Sequence, residues 1–209
     1  MPKIVDHEER REEVITAVWR VIARDGLESS TIRAIAKETG ASAGILAHYF
    51  EDKDDILTYA LKLSHRRIRE RQNNKLNGLT GLEALKALVL DNLPLDEERE
   101  LETRLEISYW ARSLTRAEVT KVQRAEAAIL HKRMVTLVLE AQGLGEIEKN
   151  QSPEMIVERL HALIDGLSLH TLIHRERVSK ETQTAIIDQE FAGLAASHRR
   201  KRATPPRRS

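Results

Sequence analysis

Apolar residues recur at three- and four-residue intervals along most of the chain, and no segment alternates apolar and polar positions as a half-buried strand would. The pattern predicts an all-α protein. A first helix fits Glu8 to Asp25, with Val14, Ile15, Val18, Trp19, Val21 and Ile22 as its buried stripe and Gly26 just past its end. Two short helices fit Ile32–Thr39 and Ser42–Tyr49, and a longer one starts near Asp52, which can cap it. The glycines of NGLTG bracket a linker, and further helices follow near 81–92, 97–113, 116–142, 153–175 and 180–197. No internal repeat is visible. A module of about 50 residues thus precedes a larger bundle of about 140.

The segment TIRAIAKETGASAGILAHYF, residues 31–50, has the spacing of a helix-turn-helix. Two short helices that cross steeply need a small residue at the contact and a turn residue that tolerates a left-handed backbone, and Ala36 and Gly40 supply these. Ile32, Ile35, Leu46 and Tyr49 then fall on the packed side, and Ser42, Ala43, Gly44, Ile45, Ala47 and His48 fall outward or at the helix start. Such a helix can enter a major groove with its amino terminus first. Ser42 and the free amides behind it can hold a phosphate, Ala43 and Gly44 add no bulk, Ile45 and Ala47 can touch thymine methyls, and His48 can donate to a base edge or a phosphate. The Tyr49 hydroxyl, Thr31 and Lys53 are placed for phosphates, and Arg10 and Arg11 for the backbone or minor groove. The same pattern also suits an ordinary helical hairpin in which Gly40 and Ser42 are only caps.

Charge does not decide between the two. Residues 1–56 carry 8 basic and 12 acidic side chains, whereas the last twelve residues, HRRKRATPPRRS, carry 6 basic and none acidic. A net-negative module argues against DNA, since phosphate neutralisation supplies most non-specific affinity. The basic tail, 198–209, is expected to be disordered and either solubilising or attracted to nucleic acid. The chain has no cysteine, which excludes disulfides, thiolate nucleophiles and cysteine-held metals. No apolar run approaches the roughly 20 residues that span a bilayer, and the charged amino terminus is no secretory signal, so a cytoplasmic protein with no membrane partner is expected.

The order of a long helix, TIRAIAKETGAS, AGILAHYF and DKDDIL resembles the amino-terminal domain of TetR-family transcriptional repressors over residues 8–60. That resemblance implies that Thr31, Ser42, Ala43, Gly44, Ala47, His48, Tyr49 and Lys53 line operator DNA. It implies three parts: a DNA-binding domain over 1–52, an effector-binding and dimerisation domain over 53–197, and the tail. It further implies a homodimer through the helices near 153–175 and 180–197, double-stranded operator DNA as partner, and an unknown small-molecule effector that releases the DNA. AGILAHYF, ISYWARSL and ALIDGLSLH are similar to the branch of choline-responsive repressors of betaine synthesis.

Within the bundle, Glu106 and Trp110 stand four residues apart with Tyr109 between, and Asp165, Leu167, His170 and His161 share another helix. A carboxylate beside an aromatic ring suits a cationic ligand. The alternative is a packed tryptophan with solvated acids, and for Asp165 a structural role. Glu158 and His161 make half of a carboxylate metal motif with no second half on a facing helix, so no metal and no cofactor are expected. No nucleophile–base pair or phosphate loop points to an enzyme.

Overall fold

The structure, a computed structural model, describes residues 7–26, 30–40 and 42–202, without the side chains of 7–11, 23, 43 and 196–202. The described residues contain nine helices and no strand: α1 His7–Asp25, α2 Ile32–Thr39, α3 Ala43–Tyr49, α4 Lys53–Leu76, α5 Gly81–Asp91, α6 Glu97–Ser113, α7 Ala117–Gly143, α8 Pro153–Ile173 and α9 Lys180–Arg202. The all-α expectation holds, with two short helices behind a long first one.

Helix starts follow side-chain chemistry. The Thr31 hydroxyl accepts from the Ala34 amide at 3.1 Å, Ser42 from Ile45 at 3.2 Å, the Asp52 carboxylate from Asp55 at 2.8 Å, and Ser152 from Met155 at 3.3 Å with Pro153 in the first turn. Each hydroxyl or carboxylate satisfies an amide that the helix itself leaves unpaired. Helix α5 begins differently. Thr80 makes no side-chain cap; instead the Glu140 and Glu146 carboxylates accept from the Gly81 and Leu82 amides at 3.0 and 2.7 Å.

Two compact units form, Met1–Glu70 with Leu101–Arg124, and Arg71–Glu100 with Ala125–Ser209. They follow packing rather than chain order. The division expected after residue 52 falls inside the first unit, because Ile56, Leu57 and Leu61 of α4 and Leu105 and Tyr109 of α6 share a core with Val18, Ile35 and Leu46. Within this unit Trp19 donates to the Ala60 carbonyl at 3.3 Å, which ties α1 to α4.

In the second unit, α5, α7, α8 and α9 bury Leu88, Met134, Leu160 and Ile187 together. Side-chain contacts and short connections fix their directions. His131 of α7 stacks on His161 of α8, and Arg159 of α8 meets Glu190 of α9 at 2.6 Å; with only the short connections 144–152 and 174–179 between them, α7, α8 and α9 alternate in direction. Gly81 bonds Glu140 late in α7, whereas Asp91 attracts Arg133 earlier in it, so α5 runs against α7 and hence against α9. Lys86 of α5 meets Asp188 of α9 at 2.7 Å. Helix α9 continues to Arg202, five residues into the segment expected to be disordered; cations in a last turn are favoured by the helix dipole.

Candidate nucleic-acid interface and ligand-binding residues

Helices α2 and α3 are joined through Gly40, whose φ of 66° and ψ of 11° lie in the left-handed region, and its amide donates to the Ala36 and Lys37 carbonyls. A residue with a β-carbon is strained there. The turn redirects the chain so that Leu46 and Phe50 point into the core, 1% and 3% exposed, while Ser42, Gly44, Ile45, Ala47 and His48 are exposed. Ile45 is 43% exposed. Tyr49 is half-buried against the core, its ring edge-on to His48 at 5.3 Å. Thr31 is exposed at the cap of α2, and Lys53 opens α4 half-buried. Ala43 lies at the first position of α3, but its side chain and those of Arg10 and Arg11 lie outside the described residues.

Behind this surface α6 grips the start of α4. Arg112 bonds Asp54 through its guanidinium, and the Tyr109 hydroxyl donates to the Leu57 carbonyl. Tyr109 is fully buried and burial pushes its phenol well above the ordinary range. The Tyr109 hydroxyl is thus committed to backbone and its ring to core packing.

The remaining effector candidates divide between the two units. Glu106 and Trp110 belong to the first unit; the Trp110 indole donates to Glu106 at 3.1 Å, and the His65 imidazole stands 3.4 Å from the other carboxylate oxygen. That contact is close but lacks hydrogen-bond alignment, leaving the buried His65 Nε2 without a donor–acceptor match. Asp165 and His170 belong to the second unit and are exposed on α8; His170 lies 3.1 Å from Arg177 and beside the His174 ring. His161 is partly buried against His131, and its Nε2 has no partner among the described residues. No group of three or more His, Asp or Glu suited to a metal occurs among the described residues.

Against known proteins, the family model "Bacterial regulatory proteins, tetR family" matches residues 14–60, and "BetI-type transcriptional repressor, C-terminal" matches residues 81–196. The chain belongs to the TetR family. The regulator PksA of Bacillus subtilis (strain 168) is 32% identical over 206 residues, covering 96% of this chain and 97% of that protein. BetI of Cronobacter sakazakii is 29% identical, covering 93% and 97%. Among solved structures, a transcriptional regulator from Saccharomonospora viridis in complex with choline is 25% identical with a TM-score of 0.83, covering 87% of this chain and 95% of that one. A Rhodococcus regulator, 24% identical with a TM-score of 0.80 over 90% and 96%, shares the fold. These families are transcriptional regulators, not enzymes, and so is this protein; operator DNA is the partner of its helix-turn-helix. No described helix is long and apolar enough to cross a membrane.

Sequence reasoning missed a polar cluster in the second unit. Asp91, 3% exposed at the end of α5, accepts from Arg71 Nε at 3.1 Å and pairs with Lys75. The signal was present: Asp91 closes the apolar run ALVLD, and Gln183 occupies the apolar register that Ile187, Phe191 and Leu194 continue along α9.

Proposed function

We propose that the protein is an effector-responsive repressor that binds palindromic operator DNA as a homodimer. The carrying observation is the α2–α3 corner: two capped short helices, a left-handed Gly40 between them, and an outward face of Gly44, Ile45, Ala47 and His48 beside Ser42. On this reading α3 enters the major groove, Ser42, Thr31, Tyr49 and Lys53 hold phosphates, and Ile45, Ala47 and His48 meet base edges, with the backbone brought close at Ala43 and Gly44. The site of action is the cytoplasm, where bacterial operator DNA is found.

Dimerisation is assigned to α8 and α9. Met155, Ala162, Leu169 and Ile173 recur at seven- and four-residue steps on the exposed side of α8, and Ala185 and Ala192 on that of α9. Small residues permit close approach between helices, and a two-fold pair sets two α3 helices one helical turn of DNA apart, about 34–36 Å. Release by an effector requires a second state with different probe spacing. The contacts Arg112–Asp54 and Tyr109–Leu57 support a route: displacement of α6 moves the first turn of α4, and with it Lys53.

Selection of binding sites from random duplex DNA at fixed salt tests this reading. A palindrome with half-sites one turn apart is expected. Sequence-blind, salt-sensitive binding alone would sink it.

A further inference from the structure

Three helices of the second unit bring cationic and amide side chains to the carboxyl-terminal end of α5. Arg71 and Lys75 share a face of α4 and both engage Asp91, whose side chain is 1% exposed. Arg133 of α7 is held below its ordinary pKa by burial, with only Asp91 pulling the other way, and it has no hydrogen-bond or ion-pair partner among the described residues. Glu98 approaches Arg71 at 3.8 Å but is largely exposed, and Asp96 is taken up by Arg99 at 2.8 and 3.0 Å. Three cations thus converge on one buried carboxylate. The part-buried Arg133 guanidinium has a fork of donors suited to a carboxylate or phosphate.

Orphaned amides accompany this charge. Gln72, 3% exposed and next to Arg71 on α4, has an unpartnered Nε2, and Gln183, wholly buried in the first turn of α9, has neither its amide nitrogen nor its oxygen partnered among the described residues. Because α5 and α9 run in opposite directions and Lys86 meets Asp188, Asp91, five places on in α5, and Gln183, five places back in α9, lie toward the same end of this helix pair. A buried amide with both ends unmet is costly to folding and is retained where something else satisfies it.

We infer that this end of the second unit binds a small organic anion: Arg133, with Arg71 and Lys75, receives its carboxylate or phosphate, and Gln183 meets a polar group elsewhere on the ligand. A quaternary ammonium ion would face three like charges and one carboxylate already engaged. That this ligand is the effector rests on the induction reading above.

Thermal unfolding and titration calorimetry of the full chain test the inference at matched ionic strength, with sodium octanoate, sodium benzoate and phenyl phosphate as probes and octan-1-ol and choline chloride as controls. A saturable rise in melting temperature with at least one anion and neither control is expected. Arg133→Met should weaken that binding about tenfold, the loss of one charge-assisted contact. Gln183→Met should weaken it too while raising the melting temperature of the ligand-free protein, the reverse of what a merely structural glutamine would do. No response to any anion, a response to choline or octanol alone, or anion binding unchanged in Arg133→Met would overturn the inference. Anion binding that leaves operator affinity unchanged would uphold the site and remove only the induction reading.

Discussion

Lys53 and His48 separate two kinds of contact. On the proposed reading Lys53, at the first position of α4, meets a phosphate, so Lys53→Ala should weaken binding to every DNA sequence and lower the salt slope by about one. His48, exposed near the end of α3, is proposed to meet a base, so His48→Ala should also change which sequences are selected. Binding curves on operator and scrambled duplex across salt concentrations distinguish them; equal losses on both duplexes for His48→Ala would remove it from base readout. His161 acts on stability instead. Burial, then the neighbouring His131, hold its pKa below the ordinary 6.5, against the opposing pull of Glu158. The unfolded chain thus takes up this proton more readily, and the folded state keeps its full stability above pH 6.5 and loses it as pH falls through that value toward the depressed pKa. Denaturation midpoints between pH 7.5 and 5.5 should fall less in His161→Gln than in the parent.

Turn geometry governs the elements. A β-carbon at Gly40 would meet no atom within 4 Å, so the cost of replacing it comes from its φ of 66° alone. Gly40→Ala should lose about 1 kcal/mol in urea unfolding, and Gly40→Asn less, since asparagine tolerates the left-handed region better. The short helices were legible in the chain for this reason: Thr31, Gly40 and Ser42 act within three or four residues, and α2 begins and ends where the sequence places it. The end of α9 was not, because the basic run lacks the apolar periodicity on which the helix was read, yet cations suit a last turn. Ligand residues were harder still. Tyr109 and Trp110 are neighbours in sequence, but one donates to Leu57 and the other to Glu106, and nothing local in the chain reveals those partners.

At the scale of the whole molecule, assembly is the measurable property. Gly166 is part-exposed on α8 between the exposed Ala162 and Leu169, and a β-carbon built there meets nothing within 4 Å. Gly166→Arg should therefore keep helical content and monomer stability while shifting a dimer to monomer in sedimentation, with a matching loss of operator affinity. A variant that stays dimeric would move the interface away from this face of α8. Family membership and the helical order were readable along the chain, and so was the break of the apolar run at Asp91, whereas its partners on α4 and α7 meet it only through packing and have no linear signature.

The clasp at the start of α5 has a consequence for how opening of the bundle is observed. Amides in a first helical turn ordinarily exchange with solvent deuterium readily, because no carbonyl within the helix accepts from them. The Gly81 and Leu82 amides are instead held by carboxylates of Glu140 on α7 and Glu146 in the turn after it, and a β-carbon on Gly81 would stand 2.1 Å from Glu146 Oε2. These two hydrogens should be retained far longer than those at other helix starts and lost together whenever α7 parts from α5, which makes them a built-in clock for the separation of those helices.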